Sequence, residues 1–225
     1  HGIRLDDGQK DVYVDNYTGI GLVEDGIRSF PTLKITEEGG QTEEKLPFSD
    51  VEEDAWYYDA VSFADEKGLM QGSGGMFYPE QNTSRAMIVT VLWRLAGSPE
   101  AGSAAPYTDT ENGAYYAEAL GWAAEEGIAA GTAPDTFRPD DPISREQLAV
   151  FLCRFAESQG CDVSGSADLS GFRDAGRVDA YAVSAVKWAC ACGILEGTAA
   201  DLLSPDAAAS RAQTAETVMR MCVNS

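Results

Sequence analysis

FSDVEEDAWYYDAVSFADEKGLMQGSGGMFYPEQNTSRAMIVTVLWRL, residues 48–95, decides the fold, because the chain says it three times. The second copy, YTDTENGAYYAEALGWAAEEGIAAGTAPDTFRPDDPISREQLAVFLCRF, occupies residues 107–155. The third, FRDAGRVDAYAVSAVKWACACGILEGTAADLLSPDAAASRAQTAETVMRM, occupies 172–221. Asp50, Asp109 and Asp174 hold one place in the unit, and Gly68, Gly127 and Gly193 another. Gly72, Gly131 and Gly197 follow, then Pro79, Pro139 and Pro205, then the pairs Ser84-Arg85, Ser144-Arg145 and Ser210-Arg211. From the aspartate to the arginine the spacing is 35, 36 and 37 residues, so the copies differ by single-residue loop changes. Repetition at this period marks units that cannot bury their apolar faces alone and must stack.

Each copy reads as helix, loop, helix. Trp56, Ala60, Phe63 and Ala64 recur at i, i+4, i+7 and i+8, an amphipathic stripe, repeated by Tyr115, Ala119, Trp122, Ala123 and by Tyr181, Ala185, Trp188, Ala189. Gly68, Gly127 and Gly193 stand where a helix end wants a left-handed residue. A loop rich in Gly, Asp and Pro follows, with Phe77, Phe137 or Leu203 as its apolar anchor. The second helix starts at the serine. Ser144 with Gln147, and Ser210 with Gln213, form capping boxes, whereas Ser84 faces Met87 and keeps half of one. A unit of ~50 residues buries too little surface by itself, so three helix pairs share one core. The expected fold is therefore mainly α. Stretches 97–106 and 157–171 read as exposed connections, dividing the chain at 48–106, 107–171 and 172–225. Residues 1–47 stand outside the repeat. Asp11-Val-Tyr-Val-Asp15 and Thr32-Leu-Lys-Ile-Thr36 alternate as strands do, so a short β element or linker is expected there, the tail of an upstream domain.

Composition narrows the function. The 225 residues include 37 acidic and 16 basic side chains, a formal charge of −21, which argues against nucleic acid as a partner. No apolar run reaches the ~20 residues of a membrane span. The single histidine is His1, which removes the Ser-His-Asp and Cys-His catalytic sets and most zinc sites. Opening at His1 without Met, the chain reads as a processed or excised piece. Cys153, Cys161, Cys190, Cys192 and Cys222 are odd in number and hold no CxxC pair, so they are expected as small hydrophobes rather than disulfides or ligands. Trp93, Trp122 and Trp188 lie on helical stripes as core fillers, while Trp56, Tyr115 and Tyr181, heading the first helices, suit either packing or ligand stacking. Acidic runs at Glu52-Glu53-Asp54 and Asp140-Asp141 lack the D-x-[DN]-x-[DN]-G pattern of a calcium loop and fit solvated helix starts. Paired carboxylates of a glycosidase would be a third reading, but each repeated acid has a helix-start or loop explanation. No metal, cofactor or catalytic residue is expected.

Arg85, Arg145 and Arg211 are physically odd. A cation at the first position of a helix meets the positive end of the macrodipole, unfavourable by ~0.3–1 kcal/mol. Paying it three times calls for compensation. Either guanidinium and free helix amides together cradle an anion, or each arginine pairs with a carboxylate such as Asp50, Asp109 or Asp174.

The succession F-x-D-V…W…A…A…G…G…F-x-P…[IT]-[ST]-R-A-E, carried three times over residues 48–222, resembles the S-layer homology (SLH) repeat of bacterial cell-surface proteins. The resemblance implies a pseudo-three-fold helical module in the extracellular wall or surface layer, with ligand grooves between repeats. It also implies binding of a secondary cell-wall polysaccharide of the pyruvylated N-acetylmannosamine type, whose ketal carries a carboxylate. The family's arginine falls on Arg85, Arg145 and Arg211, its hydroxyl on Ser84, Ser144 and Ser210, and its loop glycine on Gly72, Gly131 and Gly197. Its tryptophan falls on Trp56, with Tyr115 and Tyr181 standing in, and its aspartate on Asp50, Asp109 and Asp174. The closing glutamate is absent, replaced by Met87, Gln147 and Gln213. The expected function is a non-catalytic cell-wall anchor; the alternative is a calcium-dependent self-assembly module that binds no glycan.

Overall fold

A computed structural model of the chain describes residues 46–223. The strand-like stretches at 11–15 and 32–36 lie outside the described residues. Within them stand six α-helices: α1 (Tyr58–Glu66), α2 (Arg85–Leu95), α3 (Ala117–Glu125), α4 (Arg145–Ser158), α5 (Val183–Ala191) and α6 (Arg211–Val223). No extended sheet joins them; the β elements among the described residues are isolated bridges, such as Ser84 with Pro142.

The starts of α2, α4 and α6 follow from their caps. Ser84 Oγ accepts from the Met87 amide. Ser144 and Gln147 exchange both bonds of a capping box, and so do Ser210 and Gln213. The starts of α1, α3 and α5 fall later than the amphipathic stripe suggested. Trp56, Tyr115 and Tyr181 precede their helices and project into solvent, so the buried stripe begins with Ala60, Ala119 and Ala185 instead. The ends behave as expected: Gly68, Gly127 and Gly193 take φ of +63°, +69° and +65°, which glycine adopts without a Cβ penalty.

The principal helix contacts run between copies. Each first helix lies on the second helix of the copy before it: α3 on α2, α5 on α4, and α1 back on α6. The third copy thus returns to the first and the ring closes. α2 also meets α4. Near the pseudo-axis the Thr83 amide donates to the Ala209 carbonyl, Ala209 to Ile143, and Ile143 to Thr83, each at 2.9 Å. All three residues are fully buried. A closed triangle of this kind gives each of these three buried amides its partner. Phe77, Phe137 and Leu203, the expected loop anchors, are fully buried beside Ile88, Leu120, Leu148 and Ile194 in one continuous core. Trp122 and Trp188 are buried with them; half-buried Trp93 donates its indole N–H to Pro99 O at 2.8 Å.

Candidate functional site

The three arginines are built in the same way. Arg85 donates through Nε to Phe137 O and through Nη2 to Ala130 O, both at 2.8 Å. Arg211 donates through Nε to Phe77 O at 2.8 Å and through Nη2 to Gln71 O at 2.9 Å. Arg145 reaches Leu203 O at 3.0 Å and, through Nη2, Glu196 O. Each guanidinium therefore leaves its own helix tip and grips the loop of the next copy. Arg85 and Arg211 also lie 4.6 Å from the ring centroids of Phe137 and Phe77; Leu203 offers Arg145 no such face. Burial pushes all three guanidinium groups below their ordinary pKa.

Both options that the sequence leaves open for these arginines need correction. The helix-start amides are not free: Arg85 N–H donates to Asp141 O, Arg145 N–H to Ala207 O and Arg211 N–H to Gln81 O. The next amides, of Ala86, Glu146 and Ala212, donate to Pro139, Pro205 and Pro79. Nor do the aspartates pair with the arginines. Ion pairs among the described residues involve Arg138, Arg173, Arg177 and Arg220 instead. Carbonyl dipoles of a neighbouring copy are what offset a cation at a helix's positive end. Nη1 of Arg85 and Arg145 keeps no protein partner among the described residues, and that of Arg211 rests 4.0 Å from Met87 Sδ.

The repeated aspartates fix the same loops from the other side. Asp50 accepts from the amides of Phe77 and Tyr78, both at 2.7 Å. Asp109 accepts from Phe137 and Arg138 at 2.8 and 2.7 Å, and Asp174 from Leu203 and Ser204 at 2.9 and 2.8 Å. Partial burial opposes it, yet these amides hold the Asp109 carboxyl below the usual range; for Asp174 the Leu203 amide leads the same effect. Tyr78, Arg138 and Ser204 sit at φ of +60°, +58° and +53°, a left-handed conformation that costs a non-glycine residue energy and that the aspartate holds in place. The Phe77, Phe137 or Leu203 peptide is thus clamped at N–H by its own copy and at C=O by its neighbour. Gly72, Gly131 and Gly197 line these loops because a Cβ there would lie 2.5–2.7 Å from a backbone carbonyl across the turn.

Outward from the clamp, three junctions between copies, labelled grooves I to III, follow the pseudo-symmetry. In groove I the Tyr115 phenol stands beside Ser84, within electrostatic reach of Arg211, next to Met87. Groove II sets Tyr181 beside Gln147, within reach of Arg85, with Ser144 at the same helix start. Groove III corresponds by repeat position, with α1 packed on α6, and its matching residues are Trp56, Ser210, Gln213 and Arg145. Trp56, Tyr115 and Tyr181 are 62%, 63% and 54% exposed, against near-complete burial for the rings of the core. Trp56 and Tyr115 each meet the ring of the next residue edge-on, at 5.2 Å between centroids, and lie outside the core. Sequence reasoning missed Glu146, a buried acid in groove II. Its signal was present: the matching residues are Ala86 and Ala212.

A closed ring of three helix–loop–helix copies, with an aromatic ring exposed at each junction, defines a tandem-repeat surface module. The family model described as "S-layer homology domain" matches residues 47–86, 106–149 and 171–215, more than half of the chain, and the chain belongs to that family. The module is one of the bacterial cell surface and wall. The chain is 27% identical over 174 residues to an endoglucanase of a Bacillus species, covering 77% of this chain and 18% of that protein. It is 29% identical over 170 residues to the surface-layer 125 kDa protein of Lysinibacillus sphaericus, covering 74% and 14%. A cellulosome-anchoring protein of Acetivibrio thermocellus is 27% identical over 157 residues, 65% of this chain and 33% of its own length. The chain therefore spans a minor part of each relative, and what it shares with the enzymes among them is the repeat module.

Proposed function

We propose that the chain is a non-catalytic anchor that holds a larger protein on the bacterial wall by binding an acidic secondary cell-wall polysaccharide, of the pyruvylated N-acetylmannosamine type, in the grooves between its copies. The observation that carries this reading is the exposure of Trp56, Tyr115 and Tyr181, with Tyr115 beside the Ser84 helix start and within reach of Arg211, and Tyr181 beside Gln147 and within reach of Arg85. An aromatic face stacks on a sugar ring. The serines Ser84, Ser144 and Ser210 offer hydroxyls at the same edge. The remaining guanidinium arm of Arg85 and of Arg145, in no ion pair among the described residues, suits the ketal carboxylate, a charge-assisted contact of ~1.5–3 kcal/mol. Gly72, Gly131, Gly197 and Asp50, Asp109, Asp174 serve the site by shaping the loop wall. A net charge of −21 opposes approach to an acidic polymer, so local grooves must overcome the mean field, and several grooves on one polymer raise retention through effective concentration.

The test uses surface positions, because the arginines also hold the fold. Binding to purified wall glycan is measured for the wild type and for a variant carrying Trp56→Ala and Tyr115→Ala, Tyr181 being kept because its hydroxyl donates to the buried Glu146. Affinity is expected to fall at least tenfold, with an unchanged melting curve, and chemical removal of pyruvate is expected to abolish binding. Undiminished binding in both arms would overturn the reading.

A further inference from the structure

The three grooves are not chemically equal, and one difference carries a charge. At the second position of α4 stands Glu146, where α2 and α6 carry Ala86 and Ala212. Its side chain is buried, with 5% of the residue exposed, beneath the Tyr181 platform. One carboxylate oxygen accepts from the Tyr181 hydroxyl and the other from the Asp179 amide, each at 3.0 Å. Groove II also holds Asp141, but Arg138 lies 3.5 Å from that carboxylate and answers its charge. Among the described residues no cation pairs with Glu146.

We propose that Glu146 closes groove II to carboxylate-bearing sugars, so that acidic units of the polymer enter grooves I and III. This rests on the glycan-binding reading above and deepens it. A second carboxylate brought into the same small volume raises the energy of both, since like charges close together disfavour ionisation. Glu146 also occupies the two donors, a phenol and an amide, that would face an incoming acid. In groove I Ala86 leaves no carboxylate at that position, and the phenol of Tyr115 lies beside the Ser84 hydroxyl with Asp140 and Arg211 both within electrostatic reach. In groove III the matching platform is the Trp56 indole and Ala212 stands in the place of Glu146, so no acid at that position opposes an acidic sugar.

The experiment is groove-resolved NMR titration of the full chain with the methyl glycoside of pyruvylated N-acetylmannosamine. In the wild type the amides at Ser84 and Ser210 are expected to shift with saturation while those at Ser144 and Asp179 stay still. Glu146→Ala is expected to recruit the Ser144 and Asp179 amides, raising affinity at groove II at least tenfold. Glu146→Gln keeps an acceptor for Tyr181 without the charge and guards against misfolding; it is expected to do the same. Tyr181→Phe, which keeps the carboxylate, is expected to recruit nothing. Shifts at Ser144 in the wild type, or none there in either Glu146 variant while Ser84 and Ser210 respond, would overturn the inference and leave the anchor reading standing. No shift at any groove in any variant would overturn both.

Discussion

Arg211 shows how a residue that looks like a ligand hook is also a structural clasp. Replacing it by alanine strips the donors from Phe77 O and Gln71 O, and orphaned buried acceptors cost ~1–3 kcal/mol each. The expected loss for Arg211→Ala is about 2–4 kcal/mol, read as a melting temperature lower by about 5–15 °C. Arg211→Lys, with one ammonium in place of a two-pronged fork, should lose less but not recover the wild type. Asp109 gives a pH signature with a definite sign. Its folded pKa lies below the unfolded one, so the unfolded chain takes up the proton first as pH falls. The stabilisation it gives is complete above the ordinary carboxylate pKa of ~3.9 and disappears as pH drops through the folded value. Urea midpoints measured from pH 6 to 3 should therefore fall, and Asp109→Asn should be weaker at pH 6 while its curve is flatter. The repetition of these residues was plain in the sequence; the identity of their partners was not. A guanidinium can satisfy itself on backbone carbonyls, and carbonyls have no letter in a sequence.

Helix caps and turn glycines were the most legible parts of the chain, because their chemistry is local. Ser144 and Gln147 sit three apart, and reciprocal capping needs nothing else. Ser144→Ala is expected to cost ~1 kcal/mol in urea unfolding. The glycines sort into two mechanisms with different consequences. Gly127→Ala meets open space at φ +69° and should cost about 1 kcal/mol of backbone strain. Gly131→Ala would place a methyl 2.5 Å from Ala133 O, so backbone must move and the loss should be clearly larger. Gly113, with nothing within 4 Å and an ordinary φ, is the neutral control. Helix starts were read less well. Periodicity alone assigned Trp56, Tyr115 and Tyr181 to the buried stripe, since i, i+4 spacing does not reveal that the first residue lies before the first helical turn.

At the scale of the molecule, three copies and one core could be read, but not which helix packs on which. Both within-copy and between-copy pairing bury the same stripes, and the choice is made by the loops. Clasping by Arg85, Arg145 and Arg211 and the triangle of Thr83, Ile143 and Ala209 select the closed ring. Closure makes the copies interdependent: removal of residues 172–225 would uncover α1 and α4 together. Unfolding is expected to be one transition, with circular dichroism and tryptophan fluorescence coincident, and the two-copy fragment is expected to be unfolded; two separated transitions would speak for independent copies. On the proposed reading, the whole ring presents three grooves at fixed geometry to one polymer. Co-sedimentation of the chain with cell-wall sacculi, before and after the secondary polymer is stripped, tests this most directly. The chain should pellet with intact sacculi and remain in the supernatant once the polymer is gone; equal pelleting with stripped sacculi would contradict it.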